Sequence, residues 1–75
     1  MGIAVQLRSD FTADDLQSLA RDSDNLLQTR RLLSLAEIYD GGARGRASRV
    51  GGVGLQTIGD WVLRFNAGGP DGLVD

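Results

Sequence analysis

The stretch from Ala43 to Asn66 constrains this chain more than any other. Ala47 lies four places before Gly51, with Val50 between them, and Gly51-Gly52 then breaks the pattern. Small residues let two helices approach closely, and a glycine after a first helix supplies a left-handed turn. The spacing predicts a short helix over 43–50, a turn at Gly51-Gly52, Val53 as an apolar plug, and a longer helix over 54–66. In that second helix Leu55, Ile58, Trp61, Val62 and Phe65 recur at spacings of three and four, the signature of one apolar face. Gln56, Thr57, Asp60 and Arg64 fall on the other side. A short helix, a glycine turn and a longer amphipathic helix form the DNA-reading helix-turn-helix, and a plain helical hairpin is the alternative. The second glycine implies a turn one residue longer than usual.

The preceding chain reads as two supporting helices. Residues 1–11 form an arm in which 2–8 alternate weakly, so a short strand and an extended arm lying on the helices are both open. Thr12 with Asp15 three residues later is a capping-box arrangement, and Asp14 and Asp15 suit the positive end of a helix over 13–22. Leu16, Leu19 and Ala20 form its buried stripe, with Phe11 stapling its start. Ser23-Asp24-Asn25 breaks and caps again, starting a helix over 25–39. Leu32, Leu35, Ala36 and Tyr39 share one face there, Leu33 and Ile38 widen the apolar arc, and Arg30 and Arg31 are expected at the surface. A helix this apolar belongs at the centre, touched by both neighbours. Asp40-Gly41-Gly42 ends it in a glycine cap. Gly45 and Gly59 each cost a helix about 1 kcal/mol relative to alanine. Residues 67–75 are a turn-rich tail, with Leu73 and Val74 placed to fold back on the core. The fold expected is a small all-α bundle of about four helices containing a helix-turn-helix.

Seventy-five residues make one small domain, with no cysteine to staple it and no histidine to act as general base or metal ligand. No metal or cofactor site is expected. The paired carboxylates Asp14/Asp15 and Asp22/Asp24 sit at helix ends, where capping accounts for them. No apolar run reaches the roughly 18 residues of a membrane span, and Met1-Gly2-Ile3 lacks a basic signal-peptide start. A cytoplasmic protein follows, nucleoid-associated if it binds DNA.

The net charge of −2 argues against a nucleic-acid partner, but its distribution argues for one. Residues 1–24 carry Arg8 and Arg21 against five aspartates, a balance of −3, and residues 25–42 balance to zero. Residues 43–66 carry Arg44, Arg46, Arg49 and Arg64 against Asp60 alone, a balance of +3, and the tail adds −2. Positive charge is concentrated on the segment that would meet phosphates.

Several runs resemble one family: Arg30-Arg31-Leu32-Leu33-Ser34-Leu35-Ala36, Tyr39-Asp40-Gly41-Gly42, Ala47-Ser48-Arg49-Val50-Gly51-Gly52-Val53, Gln56-Thr57, Asp60-Trp61-Val62, Arg64-Phe65-Asn66 and Gly69-Pro70-Asp71-Gly72-Leu73-Val74-Asp75. From Thr12 onward the chain resembles the N-terminal DNA-binding domain of bacterial insertion-sequence transposases related to the mariner superfamily. The resemblance implies a homeodomain-like or paired-like helical fold that recognises the terminal inverted repeats of a mobile element. In that family a catalytic domain with three metal-binding carboxylates follows, and no residue here takes over its nuclease role, so the chain itself is not expected to be an enzyme. The family's aspartate at the cap of the reading helix is Gly54 here. Its arginines at the positions of Leu55 and Gly59 are absent, and Arg46 stands where an acidic residue is common.

Two functions are therefore expected of this chain. As a DNA-binding module, it would place the 54–64 helix in the major groove. Gln56 and Thr57 would face bases, and Arg44, Arg46, Arg49 and Arg64 would hold phosphates, with Asp60 on the same surface. A single small helix-turn-helix binds weakly, so a homodimer or a longer chain is implied. As a protein-interaction domain derived from such a module, it would use the same face, including an exposed Leu63, to bind a protein partner.

Overall fold

The computed structural model describes residues 6–74. Four helices follow one another: α1 (Ala13–Asp22), α2 (Leu26–Tyr39), α3 (Arg44–Gly51) and α4 (Leu55–Gly68), closed by a 3-10 turn over Gly69–Leu73. No strand occurs among the described residues. Ile3 and Val5, which would have carried the alternation of the arm, lie outside them.

The helix starts follow from their caps. Thr12 Oγ1 accepts the Asp15 amide at 3.1 Å, and Asp15 Oδ2 accepts the Thr12 amide at 2.9 Å, so the capping box is complete. Asn25 Oδ1 accepts the Gln28 amide at 2.9 Å and opens α2. At the other end Asp40 caps α2 and Gly41 takes the left-handed turn, at φ 85°.

α2 is the central helix, packed between α1 and α3, with α4 laid across it. The core consists of Leu16 and Ala20 from α1, Leu32, Leu35 and Ala36 from α2, and Ala47 from α3. Ile58, Trp61, Val62 and Phe65 from α4 and Leu73 complete it. Leu19, Ile38, Tyr39 and Val53 pack on its rim. Two expected core members differ. Leu55 is 59% exposed, because as the first residue of α4 it precedes the turn that meets the core. Leu33 is 38% exposed, because it lies on the side of α2 away from α4.

The α3–α4 connection also differs from expectation. Gly51 stays helical, and the turn is Gly52-Val53-Gly54. Gly52 alone takes the left-handed conformation, at φ 68°. Ser48 ties the turn down, its hydroxyl donating to the Val53 carbonyl while its own carbonyl accepts the Val53 amide at 3.1 Å.

The two ends of the described chain are fastened onto this bundle. Asn66 acts as a two-sided clamp: its Oδ1 accepts the Arg8 amide and its Nδ2 donates to the Gln6 carbonyl, both at 2.8 Å. Arg8 grips Asp10 through both Nε and Nη2 at 2.8 Å and lies over the Phe11 ring. At the far end α4 runs two residues beyond expectation, and 69–73 is a docked helical turn with Leu73 fully buried. Gln28 donates to the Pro70 carbonyl, Arg31 to that of Leu73, and Arg64 to those of Gly72 and Val74, at 2.9–3.2 Å. Arg31 is thus half-buried rather than a plain surface residue, its guanidinium lying 5.4 Å from the centre of the Trp61 ring.

Tyr39 allows a clean titration experiment. Its hydroxyl donates to the Arg8 carbonyl, and burial, helped by the nearby Asp10 charge, pushes its phenol above the ordinary range. The sequence has one tyrosine, no cysteine and no lysine, so apart from the amino terminus no other group titrates near pH 10. The unfolded chain ionises first, so this contribution is complete below about pH 10 and is lost as pH rises through the folded-state value. Urea unfolding between pH 8 and 11 should show stability falling only in the upper part of the range. Tyr39→Phe should flatten that fall and cost about 1 kcal/mol at neutral pH.

Candidate nucleic-acid interface

The seven residues expected to form a DNA face divide into two groups. α3 buries Ala47 and Gly51 toward the bundle and turns Arg46 and Arg49 outward. Arg44, one turn before Ser48, leans toward α4: its Nη1 lies 4.0 Å from where a Cβ on Gly59 would stand. A Cβ at Gly59 would only just touch that guanidinium, so Arg44 and Gly59 face each other across the α3–α4 contact. Arg46 is paired with Glu37 of α2 at 3.3 Å and remains largely solvent-exposed. An exposed pair of this kind holds its partner weakly, by less than about 1 kcal/mol, and can exchange it for a phosphate.

On α4, Ile58, Trp61, Val62 and Phe65 face the core, which leaves Gln56, Thr57 and Asp60 in solvent in the first two turns. Arg64 does not join them. Its side chain turns back to the Gly72 and Val74 carbonyls, so it serves the fold rather than the exposed face. The structure therefore sets Arg44 beside α4, Arg46 against Glu37 of α2 and Arg49 in solvent, with Gln56, Thr57 and Asp60 exposed on the first turns of α4.

The starts of α3 and α4 share a feature that the sequence showed at Gly54 but that passed unnoticed at Ala43. α1 and α2 begin with side-chain caps, whereas Ala43 and Gly54, at the starts of α3 and α4, supply none. The first-turn amides of both helices have no side-chain acceptor from these positions, at the end where the dipole favours an anion. The signal lay in the residue types themselves, since alanine and glycine have no side-chain oxygen. Among the described residues no three acidic side chains gather as a metal site, and no helix is long and apolar enough to cross a membrane.

No family model matches the chain, and no solved structure matches it. A protein of Sinorhizobium fredii (strain NBRC 101917 / NGR234), described as uncharacterized protein y4pG/y4sC, is 60% identical over 75 residues. That similarity takes in 100% of this chain and 39% of the relative, so the chain spans well under half the length of the protein it resembles.

Proposed function

We propose that this chain is a DNA-binding module of the helix-turn-helix type, with α3 and α4 as its two helices and α4 as the helix that enters the major groove. The observation that carries the reading is the uncapped start of α4, where Gln56 and Thr57 stand exposed beside an arginine-bearing α3. Backbone amides at a helix start and arginine guanidinium groups suit phosphate oxygens, and a glutamine in the first turn of a groove helix suits an adenine edge. Arg44, Arg46 and Arg49 take the phosphates, and Gln56 and Thr57 take the bases. The resemblance to insertion-sequence transposases points to the terminal inverted repeats of a mobile element as the target, in a cytoplasmic, nucleoid-associated protein.

A titration with generic duplex DNA at several salt concentrations tests this. Three phosphate contacts give a plot of log affinity against log salt with a slope of roughly −2.7. Arg44→Ala and Arg49→Ala should each reduce that slope by about 1. Arg64→Ala should leave it unchanged while lowering stability by about 1–3 kcal/mol, because that guanidinium is turned to the Gly72 and Val74 carbonyls of the tail. Absence of salt-sensitive binding at low salt would overturn the proposal for this chain.

A second reading has its own observation. Leu55 and Leu63 are 59% and 55% exposed on α4, at a spacing that places them two turns apart on one flank. An apolar flank of this kind suits a protein partner, and such binding would be insensitive to salt and lost in Leu63→Asp.

A further inference from the structure

α4 carries one line of exposed positions along its length. Ile58, Trp61, Val62 and Phe65 are buried, and Gly59, Arg64 and Asn66 are half-buried on its flanks. Gln56, Asp60, Leu63 and Ala67 are exposed, and their spacing of four, three and four stacks them on the side directly away from the core. Leu55 and Thr57, exposed as well, lie about a quarter turn to either side of Gln56. At a rise of about 1.5 Å per residue Asp60 stands about 6 Å beyond Gln56, roughly two base steps along a groove.

A carboxylate in the middle of this line needs a reason if the line faces DNA. α4 has a single basic residue, Arg64, one turn past Asp60, and its guanidinium is turned to the Gly72 and Val74 carbonyls. Arg44 of α3 faces Gly59 at the flank, Arg46 is held by Glu37, and Arg49 stands in solvent on α3. The outer line itself therefore has no basic side chain. Guanine presents only acceptors in the major groove, N7 and O6, and thymine presents O4, so neither offers a proton to a carboxylate. An anion in the groove is also repelled by the phosphates on both sides, and only a base that donates to it offsets that cost. Adenine sets its N6 amino group beside the acceptor N7, whereas cytosine offers the N4 amino group alone.

We infer, on the DNA reading proposed above, that Asp60 is a specificity-determining residue of the α3–α4 face. Its carboxylate accepts from the N4 amino group of a cytosine within about two base pairs of the base met by Gln56. Asp60 lowers affinity for every duplex and lowers it least where cytosine stands opposite, so it selects by rejecting other sequences while the arginines of α3 supply attraction.

Selection of the chain on a randomised duplex pool, followed by titration of the selected duplex and of generic duplex at low salt, tests this. Selected duplexes should carry cytosine on one strand at a fixed position, and exchanging that base pair for any other should weaken binding at least about tenfold. Asp60→Ala should lose the preference at that position and bind generic duplex at least about threefold more tightly than the parent, since a repelled charge is gone. Asp60→Asn should select adenine there instead, because an amide pairs with adenine N6 and N7. Position 60 is in solvent, so both variants should keep the parent's helicity and thermal midpoint. Salt-sensitive binding of the parent with no fixed cytosine would overturn the inference and leave the DNA reading standing. So would an Asp60→Ala variant that keeps the cytosine preference or binds generic duplex more weakly. A parent that binds no duplex at low salt would overturn both.

Discussion

Phe65→Ala should remove a large share of the domain's stability and lower its unfolding midpoint steeply. Phe65 is fully buried, and its ring is the junction of three segments that are remote in sequence. Phe11 from the arm meets it edge-on at 5.2 Å, Tyr39 from α2 meets it at 6.4 Å, and its own helix carries it between them. Removing a buried phenylalanine ring costs about 3–5 kcal/mol, through lost transfer energy and the cavity left behind. A chain of this size holds roughly 4–11 kcal/mol in total, so the substitution takes a large share of its stability. The arm would lose its stacking partner at the same time, and with it the seat on which Arg8 and Asn66 hold the described start of the chain. Circular dichroism and the emission of the single tryptophan would report the outcome. Phe65→Leu keeps much of the volume and should stay folded at a reduced midpoint. An unchanged midpoint in Phe65→Ala would mean that the ring does not join these segments.

The helices were legible because their punctuation is local. Thr12 with Asp15, Asn25, and Asp40-Gly41 each act on backbone groups within four residues, so the sequence displays both partners at once. The interior of α4 was legible for a similar reason, since a spacing of three and four is a property of the helix itself. What escaped depends on distant partners. Arg31 and Arg64 look like surface residues by period, yet their acceptors are carbonyls 42, 8 and 10 positions further along the chain. Long side chains with a charged tip can bury their stems and reach such carbonyls, and periodicity carries no information about where a tip goes. Leu55 escaped for the converse reason: it keeps the apolar spacing but lies at the helix start, where nothing is packed against it. Of the candidate DNA face, the arginines of α3 and the polar start of α4 were readable from charge and spacing. The withdrawal of Arg64 from that face was not, because it is decided by the docked tail.

The two adjacent glycines of the α3–α4 junction should respond very differently to alanine. By sequence both look like turn residues, but only Gly52 has a backbone that an ordinary side chain avoids, at φ 68°. A Cβ there would meet nothing within 4 Å, so Gly52→Ala should cost only the left-handed strain, about 1 kcal/mol. Gly52→Asn should cost less, since asparagine tolerates that conformation. Gly51 has helical geometry and no strain to relieve. Its Cβ would lie 2.5 Å from Ser34 Oγ and 2.8 Å from Cζ3 of Trp61, two neighbours with little freedom to retreat. Ser34 is a fully buried residue of α2, and the Trp61 ring is pinned between α3 and the Arg31 guanidinium. Gly51→Ala should therefore force α3 away from both α2 and α4, at about 3 kcal/mol, even though alanine is the better helix former by about 1 kcal/mol. The sign of that competition is the informative part: if propensity ruled, Gly51→Ala would stabilise the domain, and if packing rules, it is much the worse of the two alanines. Unfolding midpoints for the pair, with Trp61 emission as a direct witness of the contact, decide between them. Because the Ser34–Gly51–Trp61 contact sets how closely α3 lies beside α4, Gly51→Ala should also shift Arg44 relative to Gly59 and weaken whatever the α3–α4 face binds. Gly52→Ala should leave that face intact.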